Sequence, residues 1–375
     1  MSIKVVPVRS KIEKKLFINY EWQANKNTEN WVSPLRMERN ELLNTKKNPF
    51  FAHAKIELFL AYTKDKIVGR IAAITNENHN KFHNDNVGFW GFFECENNQE
   101  AANALFENAA SWLKQENKDA MLGPMNPSTN DECGTLIDGF ETKPFLMMRH
   151  NPSFYPKLIE EFGNKKAKDL WAWYTTPENS VNNISEKMER VASKIEKKYK
   201  LTIRNISVKN IKSEIKLIKE VYNNAWTPNW GFVPFTDAEI DHAAANLKDI
   251  AVGDMMFLAE KDGKPIGFCI TLPNVNEIFA RIPNGKLLPT GIFKLLFGIK
   301  KIKSVRTLIM GVNKEYQFLG LGSIFYIRSI KKALEKGYTS AEMSWILEDN
   351  DLMNKAIESI GSKVYKKYRI YQYDF

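Results

Sequence analysis

Two stretches of this chain share one pattern, and that duplication constrains the fold more than any other feature. IELFLAYTKDKIVGRIAAI, starting at Ile56, and MMFLAEKDGKPIGFCIT, starting at Met255, each read as strand, tight turn and strand, with a glycine late in the second strand. Around the second hairpin the order is legible. LTIRNISV is a strand, SEIKLIKEVYNNAW and TDAEIDHAAANL are helices, and beyond the hairpin follow the strand TLIMGV, the helix IFYIRSIKKALEKG, the strand AEMSWIL, the helix DLMNKAIESIG and the strand YKKYRIYQYDF. The first half repeats this order with VGFWGFFEC, NNQEAANALFENAASWLKQEN, DAMLGP, PSFYPKLIEEFG and KDLWAWY. A period this long means two globular copies, not a solenoid. The expected class is α/β (α+β), each copy a mixed, mostly antiparallel sheet flanked by helices. The expected blocks are residues 1–178, an exposed amphipathic connector helix over 179–200, and residues 201–375.

A chain of 375 residues exceeds what one hydrophobic core organises, which agrees with two copies. Cys95, Cys133 and Cys269 are widely spaced, with no C-x-x-C and no clustered histidines, so neither a disulfide framework nor a metal site is expected, and the reducing cytoplasm is the expected compartment. MSIKVVPVRSKIEKKLF alternates charge with apolar residues, and no apolar run reaches the length of a membrane span. The net charge of +10 is unevenly placed. Residues 1–175 carry 23 Lys+Arg against 22 Asp+Glu, so +9 of it lies in residues 176–375. A basic half suits a phosphate-bearing partner: a nucleotide cofactor, a nucleic acid or an anionic membrane.

The duplication breaks at one place. Gly320 and Gly322 stand where TLIMGV hands over to a helix, whereas the first half has Glu96-Asn97-Asn98-Gln99-Glu100. The first turn of a helix presents amides without intrahelical acceptors, and two glycines leave that backbone bare, so several amides over Phe318, Leu319, Gly320, Leu321, Gly322 and Ser323 can converge on a pyrophosphate, with Gln317 at the rim. No Lys-Ser or Lys-Thr follows Gly322, which excludes a Walker loop, and Phe325 stands where a Rossmann fingerprint needs its third glycine.

The hexapeptide Gln317-Phe318-Leu319-Gly320-Leu321-Gly322 matches Gln/Arg-x-x-Gly-x-Gly/Ala, and with the element order around it residues 201–375 resemble the GNAT superfamily of acyl-CoA-dependent N-acyltransferases. The first half resembles it in order alone, as a degenerate copy without the pyrophosphate loop. The resemblance implies acetyl-CoA or another acyl-CoA, its pantetheine arm held by main-chain groups of Met310, Gly311 and Val312 in a gap between the strands TLIMGV and AEMSWIL. It implies transfer of the acyl group to an amine on a small molecule or peptide, with an amide near Val312 as oxyanion donor. Family members carry Asn-x-x-Ala with a tyrosine seven residues after the Asn; counting from Asn350 gives Ile357, so the acid falls to Tyr365, Tyr368, Tyr316, a water or no group at all. Glu348 is the candidate base or amine anchor and Asn350 a candidate cofactor contact, while Asp349 and Asn350 also read as a helix cap.

Acceptor contacts are expected from the long loop of the first half, through Asn126, Asn130, Glu132 and Arg149, and from Trp230 and Glu277 in the second. NGKLLPTGIFKLLFGIKKIKSVR is an insertion whose apolar face is edged by lysines; residues 286–303 read as a lid, an acyl groove, a membrane-surface contact or a packed helix. Two rivals stay open: an aminoacyl transferase using charged tRNA, of the peptidoglycan-bridge type that the doubled fold also resembles, and a CoA-binding protein without turnover.

Overall fold

A computed structural model describes residues 2–181, 186–226 and 229–375. In chain order its elements are β1 (Ile3–Pro7), α1 (Lys11–Ala24), α2 (Arg36–Leu42), β2 (Ala54–Thr63), β3 (Lys66–Asn76), α3 (Glu77–His83), β4 (Val87–Cys95), α4 (Gln99–Gln115), β5 (Ala120–Gly123), β6 (Met125–Asn126), β7 (Glu132–Cys133), β8 (Thr135–Asp138), α5 (Tyr155–Glu161) and β9 (Lys165–Thr175). They continue as α6 (Pro177–Val181), α7 (Glu186–Lys198), β10 (Leu201–Asn205), α8 (Ile211–Trp226), α9 (Asp237–Leu247), β11 (Met256–Lys261), β12 (Lys264–Pro273), α10 (Asn276–Phe279), α11 (Gly291–Gly298), β13 (Ser304–Val312), α12 (Leu321–Glu335), β14 (Ser340–Leu347), α13 (Asp351–Ser359) and β15 (Lys363–Asp374).

The chain divides into two compact units. The first comprises Met1–Leu170, Ile278–Leu296 and Lys366–Phe375; the second comprises Trp171–Glu277 and Phe297–Tyr365. These are not the sequential blocks 1–178 and 201–375, because the first unit takes its last strand from the C-terminal residues and the second takes residues 171–175 of β9. In the first unit the strand order is β1-β2-β3-β4-β5-β15-β9 and in the second β9-β14-β13-β12-β11-β10. Neighbours along each hairpin are antiparallel. The β4–β5 and β13–β14 pairs are parallel.

Local chemistry explains the elements. The β11–β12 turn places Asp262 (φ 52°) and Gly263 (φ 74°) in the left-handed region, the conformation that matches strand twist in a two-residue hairpin. On α4, Ala101, Ala102, Leu105, Phe106, Ala109 and Leu113 recur at helical spacing and fill the first core against Trp90 and Ile71, with Phe93 stacked on Phe106 at 4.9 Å. In the second unit Leu321, Ile324 and Phe325 of α12 meet Phe257, Ile266, Met343 and Ile357. The helix expected to be an exposed connector is instead part of that core. Ala192 is buried, Met188, Ile195 and Tyr199 pack against the same cluster, and Glu196 pairs with Arg328 at 2.8 Å. Its apolar stripe is complete enough to need a partner; residues 182–185 of the expected connector lie outside the described residues.

Candidate functional site

In the second unit the parallel pair β13–β14 is short. Residues Ser304–Thr307 match Ser340–Met343, and beyond Thr307 the two strands share no register. The edge of β13 facing this fork follows from the bond on its other side. Asn313 N–H donates to Ile266 C=O at 2.9 Å, and antiparallel residues alternate between bonded and non-bonded pairs. Ile309, Gly311 and Asn313 therefore spend their main-chain groups on β12, while Met310 and Val312 turn theirs to the fork. Gly311 is thus not part of the pantetheine edge. Its missing side chain serves another purpose: a Cβ there would lie 1.8 Å from the Trp226 ring, which also packs 5.7 Å from Phe268.

Below the fork the chain makes one short helical turn, Lys314–Leu319, reverses at Gly320 (φ 68°) and enters α12. A side chain at Gly320 would meet nothing within 4 Å, and one at Gly322 only Met310 Cε at 3.7 Å, so the turn is open. Ser323 N–H and Ile324 N–H bond the Gly320 carbonyl at 3.0 and 3.3 Å, which leaves Leu321 and Gly322 as the first-turn amides without an intrahelical acceptor. Gln317 Nε2 donates to Val312 C=O at 3.4 Å and so ties the turn to the strand end. Leu319 is buried beneath the turn and Phe318 stands exposed beside it, its ring 6.2 Å from Tyr199. The Trp345 indole N–H, just past the fork on β14, is shut off from solvent and has no acceptor among the described residues. A bare turn at the N-terminus of a helix, an unmated strand edge and an orphaned donor fit a ligand with a diphosphate and an extended amide arm.

At the apex of the fork lies a polar cluster that the sequence reading missed. Arg306 and Glu342 are opposite each other in register, both fully buried, with Arg306 Nε 3.5 Å from Glu342 Oε1. Arg306 Nε donates to Ser344 Oγ at 2.9 Å, Ser344 Oγ to Glu342 Oε1 at 2.5 Å, and the Tyr365 hydroxyl donates to the other carboxylate oxygen. The Arg306 guanidinium also lies over the Trp345 ring at 5.2 Å. A single charged residue in each of two strands that carry no other charge was the available signal, since such residues are buried only when paired.

The remaining expected residues fall out as follows. Tyr365 joins the apex cluster, whereas Tyr368 belongs to the first unit, fully buried, its hydroxyl given to the Arg149 carbonyl at 3.1 Å. Ile357 is packed in the second core, so the usual tyrosine place holds no proton donor. Asn350 caps α13, accepting from Met353 N–H at 3.2 Å, and Glu348 is half-buried at the end of β14, its carbonyl taking the Asn354 amide. Glu277 does not present its carboxylate to a substrate. It accepts from the amides of Lys303 and Ser304 and from the Ser304 hydroxyl, clamping α10 to the start of β13. Trp230 is half-buried in the loop after α8.

In the first unit the corresponding fork is filled by its own chain. β4 and β5 share register only over Val87–Phe89 and Ala120–Leu122, and the β6 segment enters beyond it. A Cβ on Gly91 would lie 1.7 Å from the Met125 carbonyl, and Asn126 Oδ1 accepts from Phe92 N–H at 2.6 Å. Asn126 therefore satisfies the strand edge that a ligand would use. Asn130 N–H bonds Ser128 Oγ within the same loop. Glu132 and Arg149, also expected at an acceptor, instead complete a buried charge network: Arg39 bridges Glu21 (3.1 Å) and Glu132 (2.8 Å), Arg70 reaches Glu21 (3.1 Å), and Arg149 pairs with Glu94 (3.2 Å). Burial alone would raise the Glu21 carboxyl, but Arg39, Arg70 and Arg149 outweigh it and hold it at about 2; burial dominates at Glu94, whose carboxyl is pushed up.

No family model matches the chain. Solved structures similar in fold include a GCN5-related glucosamine N-acetyltransferase region of a fungal multidomain β-N-acetylglucosaminidase, with TM-score 0.61, 14% identity, 99% of this chain covered and 38% of that one. A tandem GNAT protein from the clavulanic acid pathway has TM-score 0.60 and 9% identity over 100% of this chain and 98% of its own. The fold is that of a tandem GNAT protein, and among the described residues no helix is long and apolar enough to cross a membrane. Two relatives are much nearer in sequence. The bacterial ceramide synthase of Caulobacter vibrioides is 35% identical over 99% of this chain and 97% of its own length, and Protein YghO of Escherichia coli is 35% identical over 97% and 93%. The chain belongs to the family of these two proteins.

Proposed function

We propose that the protein is an acyl-CoA-dependent N-acyltransferase whose acceptor is the amine of a long-chain amino alcohol. The observation that carries the donor half is the open Gly320–Gly322 turn beneath an unmated β13 edge. The acceptor half is supported by the relative named a ceramide synthase, since a ceramide is an N-acylated long-chain amino alcohol. When bound, acyl-CoA supplies an activated acyl thioester. The unsatisfied amides of Leu321 and Gly322 would hold its diphosphate, the fork-facing groups of Met310 and Val312 would align its arm, and the amide of Val312 would donate to the carbonyl oxygen.

Tyr365 and Glu342 handle the proton. The amine must attack neutral; its nitrogen would bond the carbonyl carbon as the carbon–sulfur bond breaks, its excess proton would pass to the Tyr365 oxygen while the tyrosine's own proton moves to Glu342, and the reverse relay would hand a proton to the leaving thiolate. Arg306 and Ser344 hold the carboxylate in place for this transfer. Glu348, at the end of β14, anchors the incoming ammonium. The test is thiol release from palmitoyl-CoA and acetyl-CoA with a long-chain 2-amino-1,3-diol, a long-chain primary amine and a short soluble amine. Turnover with the amino diol is expected. Silence with every amine would leave a CoA-binding protein, and turnover with charged tRNA alone would favour the aminoacyl route.

A further inference from the structure

The first unit holds a cleft of about 850 Å³ that the proposed chemistry does not use. It is lined by Lys11, Lys14, Lys15, Arg36 and Lys286 with asparagines and Ile18, and by no carboxylate. Two of the cations are fixed by uncharged groups. Lys14 Nζ donates to the Leu43 carbonyl at 2.7 Å, and Arg36 Nε donates to the Asn284 carbonyl at 2.8 Å while its guanidinium stacks 4.1 Å above Trp22. Lys11, Lys15 and Lys286 make no ion pair among the described residues. The sequence reinforces the sign: from Ile278 to Lys314 there is no Asp or Glu.

Beside these cations stand exposed apolar side chains of the same unit. Ile12 (74% exposed) and Leu16 occupy successive turns of α1 next to Lys11 and Lys15, Met37 follows Arg36, and Leu288 (75% exposed) and Phe293 follow Lys286. Lysines interleaved with exposed Leu, Ile and Phe are the composition of a surface that rests in a bilayer interface, where headgroup phosphates meet the cations and apolar side chains enter the acyl boundary. A nucleic-acid groove would offer aromatic platforms for bases, whereas the exposed apolar residues that neighbour these cations in the sequence are mainly aliphatic.

We infer that this face docks the protein on an anionic lipid bilayer, the cleft receiving headgroup phosphate while Ile12, Leu16, Met37, Leu288 and Phe293 insert. The inference deepens the long-chain amine reading and rests on it for its purpose, because such an acceptor resides in a membrane. The test is sedimentation of the full chain with phosphatidylcholine vesicles, with and without phosphatidylglycerol. Wild type should bind the anionic vesicles and lose them at high salt. Lys11→Gln/Lys15→Gln/Lys286→Gln should weaken binding on the order of a hundred-fold, and Leu288→Ser/Phe293→Ser by about ten-fold, both with CoA affinity unchanged. Equal binding to neutral and anionic vesicles, or full binding by the lysine variant, would overturn the inference. So would tRNA binding lost in the lysine variant with vesicle binding kept. Lysine-dependent vesicle binding without turnover of the dispersed amino diol would sink the acceptor reading alone.

Discussion

Glu342 and Asn126 show how little a residue's type says about its work until its partners are known. Glu342 sits in a dry fork opposite Arg306, with Tyr365 on its second oxygen. Glu342→Gln keeps the shape and removes the proton acceptor, so kcat should fall by about 10²–10⁴-fold with little change in acyl-CoA affinity. Tyr365→Phe should do the same and shift the pH–rate profile. Glu342→Ala should also destabilise the second unit, by about 3 kcal/mol in urea titration, since it removes the carboxylate from a buried charge pair. Asn126 was legible as a loop residue suited to a substrate; the structure gives its side chain to Phe92 N–H instead. Asn126→Ala should cost about 1–3 kcal/mol of stability with KM unchanged, whereas a raised KM at unchanged stability would restore the acceptor role.

At the scale of elements, what is legible in the sequence is what neighbouring residues set, although α3, capped by Asn76, is not among the expected helices. The hairpin turns, the stripe of α4 and the glycine turn before α12 are all set by a few neighbouring residues. What was not legible depends on distant partners: the clamp of Glu277 on β13, the packing of α7, and the self-filled fork of the first unit. A buried histidine supplies a pH test for one element. His79 of α3 packs 4.8 Å from Phe89, and burial, aided by His83, pushes its imidazole down to about 3, although Asp85 lies 3.3 Å from its Nε2. An unfolded histidine titrates near 6.5, so the unfolded state binds more protons below that pH. The stability this imparts is complete above about pH 6.5 and is lost as pH falls toward about 3. His79→Leu should flatten the urea midpoint against pH in that window; an unchanged slope would place the titration elsewhere.

For the whole molecule, the C-terminal strand matters as much as the glycine turn. Residues 366–375 belong to the first unit, where Lys366, Tyr368, Ile370 and Tyr371 are buried and Tyr371–Asp374 pair with β5. Each buried apolar side chain is worth about 1.5–3 kcal/mol, so a chain ending at Tyr365 should lose the cooperative unfolding of the first unit in calorimetry although the glycine turn is intact. Local pattern cannot reveal such an assignment, because the strand's partner lies more than two hundred residues earlier in the chain. The two copies also differ in kind: one fork is open above a bare turn, the other is closed by Met125 and Asn126. Isothermal titration with CoA tests that asymmetry and the donor site together. Wild type should bind one CoA per chain, and Gly320→Glu, which places a carboxylate in the anion turn, should weaken binding by at least about a hundred-fold without loss of fold. Two sites per chain, or affinity that survives Gly320→Glu, would contradict the account.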